Sequence, residues 1–529
     1  MFFKNFHLLA VLLYAFVNIA NCKPKHEEQN LTVNTLTGIF TGLIDAKYPN
    51  TRQFRAIPFS EPPVSSRRWL PPMKLSKSTA HHYPRNFPPS CPQFVSSGPT
   101  FWNQYISKGA LIYNGNQNSI SGLVAQTTSE DCLYMAIWTP SSAKSSSKLP
   151  VLFFMTGGGF QTGGIDVGWQ IPAEWVQRSQ KHIVVTINYR LNIFGHPNAR
   201  GLEDQNLAFL DQRMALEWVR DNIAAFGGDS SRIMQWGQSA GSISTDVHAY
   251  AYATDPIANS YMLHSASIKT MSALGLMSPD PTHSNFTFVA NHFGCRFAHD
   301  SAAELDCMRQ VPFAMIENFI GQYSDNGTLP AITFNPVVDE KLVFSDYPAR
   351  AAAGRFARKP VIVGHTANEA ASLVPWPINN VTEGPYEPTV ISTDLVAWVC
   401  PAKNITDVRS SFGIPIYRYQ YAGRWPNLNP LTWLGAWHSS DIPMIFGTHE
   451  LLQVGNSTEL QIKTSHAMQD HIVAFAKDPI NGPASFGWNR AATGGQVAQF
   501  GANWTAVQYV HHEVVDGACD GLSTYDQYP

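Results

Sequence analysis

The segment Arg232–Ala253 reads RIMQWGQSAGSISTDVHAYAYA. Its first five residues form a short apolar run, the pattern of a buried strand. From Ala240 onward it carries few helix breakers and is expected to be helical. Ser239 stands at the junction, flanked by Gly237 and Gly241. A serine on a sharp strand-to-helix turn is the nucleophile elbow of hydrolases. Small flanking residues let the two backbones approach, and glycine accepts such turns without steric cost. An ordinary glycine-rich turn would look the same over five residues, so the rest of the chain must decide.

Working outward, other apolar runs read as buried parallel strands: LPVLFFM (149–155), HIVVTINY (182–189) and PVIVG (360–364). Helical periodicity lies between them, clearest in DQRMALEWVRDNIAAFGG (211–228). Strand alternating with helix argues an α/β fold, a mostly parallel sheet with helices on both faces. GIFTGLID and the many prolines of the first 80 residues suggest a small N-terminal antiparallel edge. In open α/β sheets function gathers at the carboxyl ends of the strands. Three strands end in chemically useful residues there: 149–155 runs into TGGGF, 232–236 into Ser239, and 360–364 leads to Glu369.

A serine hydroxyl needs a base, and the base needs an orienting carboxylate. In elbow hydrolases the order is serine, acid, histidine. The histidines after Glu369 are His438, His449, His466, His471, His511 and His512. His438 lies in GAWHSSDIPMIFG, a small-residue turn before an apolar segment. His466 and His471 fall on an expected helix, where surface positions are the ordinary reading. His511 and His512 follow a strand-like run and look structural. For the acid, Asp339, Glu340 and Asp441 compete with Glu369 on sequence alone. An oxyanion needs backbone N–H donors. Gly158 and Gly159 of TGGGF supply bare backbone after a strand, and Ala240 adds the amide that follows the nucleophile. A phosphate cradle would need GK[ST] or GxGxxG, and a metal site HExxH or paired CxxC; the sequence has none of these, so neither cofactor nor metal is expected.

The chain has 529 residues, of which 44% are hydrophobic and 14% charged, with a net charge of -3. No linker, repeat or charge block divides it, so residues 23–529 are read as one decorated domain. The charge balance gives no basic field for nucleic acid. Residues 1–22 have Lys4, an apolar stretch to Ile19 and then small residues, the pattern of a secretory signal peptide cleaved near Ala20 or Cys22. No later stretch is apolar enough to span a bilayer, and the C-terminal STYDQYP is no anchor tail. A secreted, extracellular protein without a membrane anchor is therefore expected. With Cys22 at the cleavage site, six cysteines remain: Cys91, Cys132, Cys295, Cys307, Cys400 and Cys519. They allow fifteen pairings, and spacing does not choose among them. Sequons begin at Asn30, Asn285, Asn326, Asn380, Asn404, Asn456 and Asn503, which with a signal peptide favours glycosylation.

Between about residues 35 and 520 the sequence resembles the type-B carboxylesterases, a family that also holds cholinesterases and GGGX-class fungal lipases. The resemblance is carried by AIPFSEPPVSSRRW (56–69), EDCLYMAIW (130–138), LDQRMALEWVRDNI (210–223) and FGGDSSRI (226–233), together with the elbow. It implies the α/β-hydrolase fold and a serine ester hydrolase working through an acyl-enzyme. Ser239 is then the nucleophile, Glu369 the acid, His438 the base, and Gly158, Gly159 and Ala240 the oxyanion hole. It also implies the pairs Cys91–Cys132, Cys295–Cys307 and Cys400–Cys519, and a buried ion pair between Arg68 and Glu130. Triacylglycerol lipase or sterol esterase is the alternative within enzymes, and a silent adhesion or carrier protein the alternative outside them. The sequence departs from the family at Gln238, where Glu is usual, at Thr156, where His or Tyr is common, and at Ala370, where Gly is usual. Cholinesterases also stack an ammonium on a tryptophan late in the first disulfide loop. Leu123 and small residues stand there, with Trp102 far earlier, which weakens a choline-specific reading. The 92–131 loop clusters Phe101, Trp102, Tyr105, Ile106, Leu111, Ile112 and Tyr113, so it reads either as a lid, as in the fungal lipases, or as a fixed wall.

Overall fold

The computed structural model describes residues 31–105, 120–297, 299–451, 455–491 and 495–529. The expected signal peptide, the Asn30 sequon and the loop residues Ile106, Leu111, Ile112 and Tyr113 lie outside these. Among the described residues eleven strands form one sheet. They are β1 (Leu43–Ile44), β2 (Thr51–Pro58), β3 (Tyr134–Pro140), β4 (Leu149–Met155), β5 (Ile183–Ile187), β6 (Gly228–Gln238), β7 (Ser260–His264), β8 (Val361–Thr366), β9 (Ile416–Tyr421), β10 (Gln496–Phe500) and β11 (Val507–His511). Their order is 11-10-9-8-7-6-4-5-3-2-1. The seven strands from β10 to β5 run parallel, while β1 to β3 and β11 add antiparallel edges. A separate small sheet pairs Thr32–Thr35 with Gly38–Thr41 antiparallel and adds His81–His82 in parallel.

The apolar runs became central strands because both faces of the sheet are covered. In β4 the side chains alternate: Val151, Phe153 and Met155 enter one core, Leu152 and Phe154 the other. The first core is closed by helices α1 (Leu207–Asn222) and α2 (Ala240–Ala251) through Leu216, Val219, Ile243 and Val247. The second is closed by α3 (Glu459–Lys477) through Met468, Ile472 and Phe475. The periodic stretch 211–228 is helical only to Asn222, then tightens to a 3₁₀ turn and ends on left-handed Gly227. Packing also corrects one expectation. His471 on α3 is 2% exposed rather than a surface residue. Its ring contacts Ala467 O and Tyr509 Oη, and burial pushes it down to about 4.

Three disulfides close loops among the described residues: Cys91–Cys132, Cys295–Cys307 and Cys400–Cys519. Arg68 grips both oxygens of Glu130 at 2.6 Å and also donates to the Met308 and Val311 carbonyls, so the ion pair beside Cys132 is fully satisfied. No described helix is long and apolar enough to cross a membrane.

Candidate active site

β6 delivers Ser239 to the rim of the sheet, and α2 starts one residue later. Ser239 has φ 54 and ψ -122, a conformation that costs a non-glycine residue energy and is kept only where its surroundings fix it. The surroundings do so. The Ser239 N–H donates to His264 O at the end of β7, and the Ser239 carbonyl accepts from Ser242 N and Ile243 N, each at 2.9 Å. The flanking glycines are there for close approach. A Cβ at Gly237 would collide with the Gly241 carbonyl, and one at Gly241 with the carbonyl of Met155 at the end of β4.

The same rim carries the other expected groups. Glu369 follows β8 and is 1% exposed. One carboxylate oxygen accepts from Thr366 N at 2.8 Å, and the other sits against His438 Nδ1 in a short contact. Ala370 N, next in the chain, donates to Asp394 at 2.7 Å. Burial pushes that Asp394 carboxyl up to about 8, with Glu369 nearby adding to the rise and Gln527 opposing it. Of the competing acids, Asp441 lies 2.8 Å from His264 Nε2 and Asp339 binds the turn amides of 341–343. Glu340 accepts from Ser345 N. Of the competing bases, His449 contacts Ser457, while His511 and His512 stand with Glu513 at the outer strand edge.

Ser239, His438, Gly158 and Gly159 line one cavity of about 320 Å³. Both glycines have positive φ, 117 and 62. Ala240 opens α2, so its N–H has no carbonyl behind it within the helix. The walls are apolar and aromatic: Trp102, Ile243, Leu274, Leu276, Leu373 and Trp398. Trp398 and Trp102 pack at 5.8 and 6.4 Å from the His438 ring. Trp102 stands too early in its loop for the ammonium-stacking position, but as a member of the loop's aromatic cluster it lines the cavity. Trp398 carried no local signal, because it comes from an irregular helix far from every motif. Among the described residues the lining contains no Asp, Glu, Lys or Arg.

This arrangement, a serine on an elbow beside a carboxylate–histidine pair and glycine amides at the rim of a mostly parallel sheet, is that of an α/β-hydrolase. Comparison with known proteins agrees. A profile of the carboxylesterase family matches residues 29–390. The chain is 38% identical to a chlorogenic acid esterase of Aspergillus niger, over 90% of this chain and 89% of that one. It is 34% identical to secreted lipase 5 of Gibberella zeae over 92% and 93%. It is 33% identical to a secreted triacylglycerol lipase of the same fungus over 66% and 60%. The chain belongs to the carboxylesterase family and is a carboxylic ester hydrolase.

Proposed function

We propose that the ester is cleaved through an acyl-enzyme on Ser239. The observation that carries this reading is the His438 Nδ1–Glu369 pair facing the cavity that Ser239 lines. With Nδ1–H held by the carboxylate, His438 Nε2 carries the lone pair that can accept a proton. Ser239 Oγ attacks the ester carbonyl as His438 Nε2 takes its proton. The oxyanion is held by the N–H groups of Gly158, Gly159 and Ala240. Collapse breaks the acyl C–O bond, and the alcohol leaves with the proton from His438. Water then attacks the acyl-enzyme, giving its proton to His438 Nε2. A second collapse releases the acid and returns the proton to Ser239.

The cavity supports a reading of the substrate. About 320 Å³ is at the small end of the range of roughly 300–1,000 Å³ for ligand pockets, and its described lining residues are largely apolar and aromatic, with no charged side chain among them. Compact, uncharged esters fit best, in keeping with a relative named chlorogenic acid esterase. A lipase reading draws on the secreted lipases among the relatives and on Leu274 and Leu373, lining residues that remain 37% and 44% exposed. Residues 1–22 act as a secretory leader and 23–529 as one domain. Asn326, Asn404, Asn456 and Asn503 are exposed acceptors for glycans, whereas the Asn285 amide donates to Thr333 O and the exposed Asn380 amide donates to Glu383. The deciding experiment mixes enzyme with a short-chain chromogenic ester, traps the first turnover with acid and maps the acylated peptide. Acyl mass on Ser239 is expected; acylation elsewhere overturns the assignment. A panel of short, aromatic and long acyl esters then separates esterase from lipase.

A further inference from the structure

We infer that Gln527 is a positioning residue for the acid: its side-chain amide ties down the chain on both sides of Glu369. The inference rests on Glu369 orienting His438, as proposed above. Residues 525–528 form neither strand nor helix, yet alternate residues turn inward: Tyr525 and Gln527 are buried, Asp526 and Tyr528 exposed. Gln527 Nε2 donates to Asn368 Oδ1 and to Asp394 Oδ2, each at 3.0 Å. Both partners are buried acceptors, so both amide hydrogens are used and the orientation of the amide is set.

The two bonds meet the acid from either side. Asn368 precedes Glu369. Its N–H donates to Ala436 O at 2.9 Å, and its Nδ2 donates to the carbonyls of Leu434 at 2.9 Å and Trp433 at 3.2 Å. Asn368 thus joins the acid turn to the stretch that leads into His438. Asp394 ends the helix Glu387–Asp394, and its other oxygen accepts from the N–H of Ala370, the residue after Glu369. Gln527 reaches both supports at once. Its neighbours reinforce the clamp: Tyr525 Oη donates to Ala367 O at 2.9 Å, and Tyr528 Oη to Trp433 O at 3.0 Å. The Cys400–Cys519 bridge fastens this segment to the chain just beyond the Asp394 helix.

The Glu369 carboxylate takes one bond from Thr366 N and turns its other oxygen to His438 Nδ1. Its aim is therefore only as good as the placement of the 368–370 backbone. Without the Gln527 amide, Asn368 Oδ1 and Asp394 Oδ2 each lose a buried donor, and buried acceptors left unpaired favour a shifted arrangement. A displacement of about 1 Å in a positioned group can cost about 10²-fold in rate. Gln527 is not among the described residues that line the cavity, so its effect falls on the reaction and not on substrate binding.

The test is a double-mutant cycle: kcat and KM for a neutral short-chain ester with wild type, Gln527→Met, Glu369→Gln and the double variant. Gln527→Met keeps the side chain's length and removes both donors. It is expected to lower kcat by about 10–100-fold with KM nearly unchanged. In the Glu369→Gln background the same substitution is expected to cost little more, because a residue that acts through Glu369 then has nothing left to aim. Tyr417→Phe, which deletes a bond to Ile480 O, is the stability control, with a lower melting temperature and wild-type kcat. If Gln527→Met does not fold, Asp394→Asn replaces it in the cycle with the same expectation, since it sets an N–H against Gln527 Nε2 and keeps an oxygen for Ala370 N. Wild-type kcat with a lowered melting temperature, or the same proportional loss in both backgrounds, means a structural role only and overturns the inference. A fully active Glu369→Gln enzyme would instead sink the acid assignment itself, which is a separate failure.

Discussion

At the scale of single residues, Ser239→Ala is expected to remove ester turnover, by about 10³–10⁶-fold in kcat, while leaving the fold intact. The hydroxyl bears no part of the elbow's structure, which is held by backbone bonds to His264, Ser242 and Ile243. Retention of more than a tenth of wild-type rate alongside an unchanged melting temperature would mean a different nucleophile. Glu369→Gln is expected to cost about 10²–10⁴-fold in kcat with little change in KM, because an amide facing Nδ1 can hold the wrong imidazole tautomer. Asp441→Asn serves as the counter-test. Its carboxylate bonds His264 and Tyr419 rather than His438, so its loss should act on stability more than on rate. A dead Asp441→Asn enzyme beside an active Glu369→Gln enzyme would reassign the acid. The elbow at Ser239 was legible in the sequence because such a turn needs glycines at fixed offsets. The choice among Glu369, Asp339, Glu340 and Asp441 was not, since a carboxylate's role depends on which loop crosses the rim. The end of the 360–364 strand offered Glu369 as one candidate, and the family resemblance raised it above the others. Gln238 stood out as a departure from the family, but its contact with His438 spans 200 positions and has no local sequence signal.

At the scale of elements, the parallel strands were readable because burial on both faces demands unbroken apolar runs, and β4 starts and ends where the run does. β6 extends to Gly228 through polar residues that the apolar core of the run did not reveal. Loops were less readable, as Trp102 illustrates: its cluster placed it in a loop read as a lid or a fixed wall, but its seat beside the His438 ring depends on a return path no periodicity encodes. The path is pinned at its neck. Beyond the Cys91–Cys132 bridge, Ser90 pairs with Thr127 and Ser129, Gln93 with Ala125 and Val95 with Gly122. Asn318 holds Val124 N, and Asp325 holds Ser96 and Ser97. A Cys91→Ser, Cys132→Ser double variant should therefore fold, yet lose the firm placement of Trp102 against the cavity. The expected outcome, read on short and long acyl esters, is altered preference for long chains. Equal proportional losses on every ester would show that the loop contributes stability alone, and the lid reading would be dropped.

At the scale of the whole molecule, buried titratable groups set how stability varies with pH, and the signs can be worked out. Burial pushes Glu317 and Asp394 up to about 8, from unfolded values near 4. Between about pH 4 and pH 8 the folded chain therefore holds protons that the unfolded chain has lost. Stability from these two groups is full below pH 4 and declines as pH rises toward 8. Burial pushes His182, His196 and His248 down to about 3. Below pH 6.5 the unfolded chain gains protons there that the folded chain refuses, so stability declines as pH falls. Counting His471, down to about 4, and Asp166, up to about 6, four histidines outweigh three carboxyls below about pH 6; above pH 6.5 Glu317 and Asp394 set the slope. The melting temperature is thus expected to peak near pH 6–7 and fall on both sides. Glu317 isolates the alkaline branch, because it lies on the helix Phe313–Asp325, outside the cavity lining, with Oε1 unpartnered. Glu317→Gln, a neutral side chain of the same size, should flatten the decline between pH 6.5 and pH 9 and leave the acidic decline as it was. Differential scanning calorimetry of both proteins across that range is the measurement, and an alkaline decline as steep in the variant as in wild type would refute the assignment of this branch to Glu317.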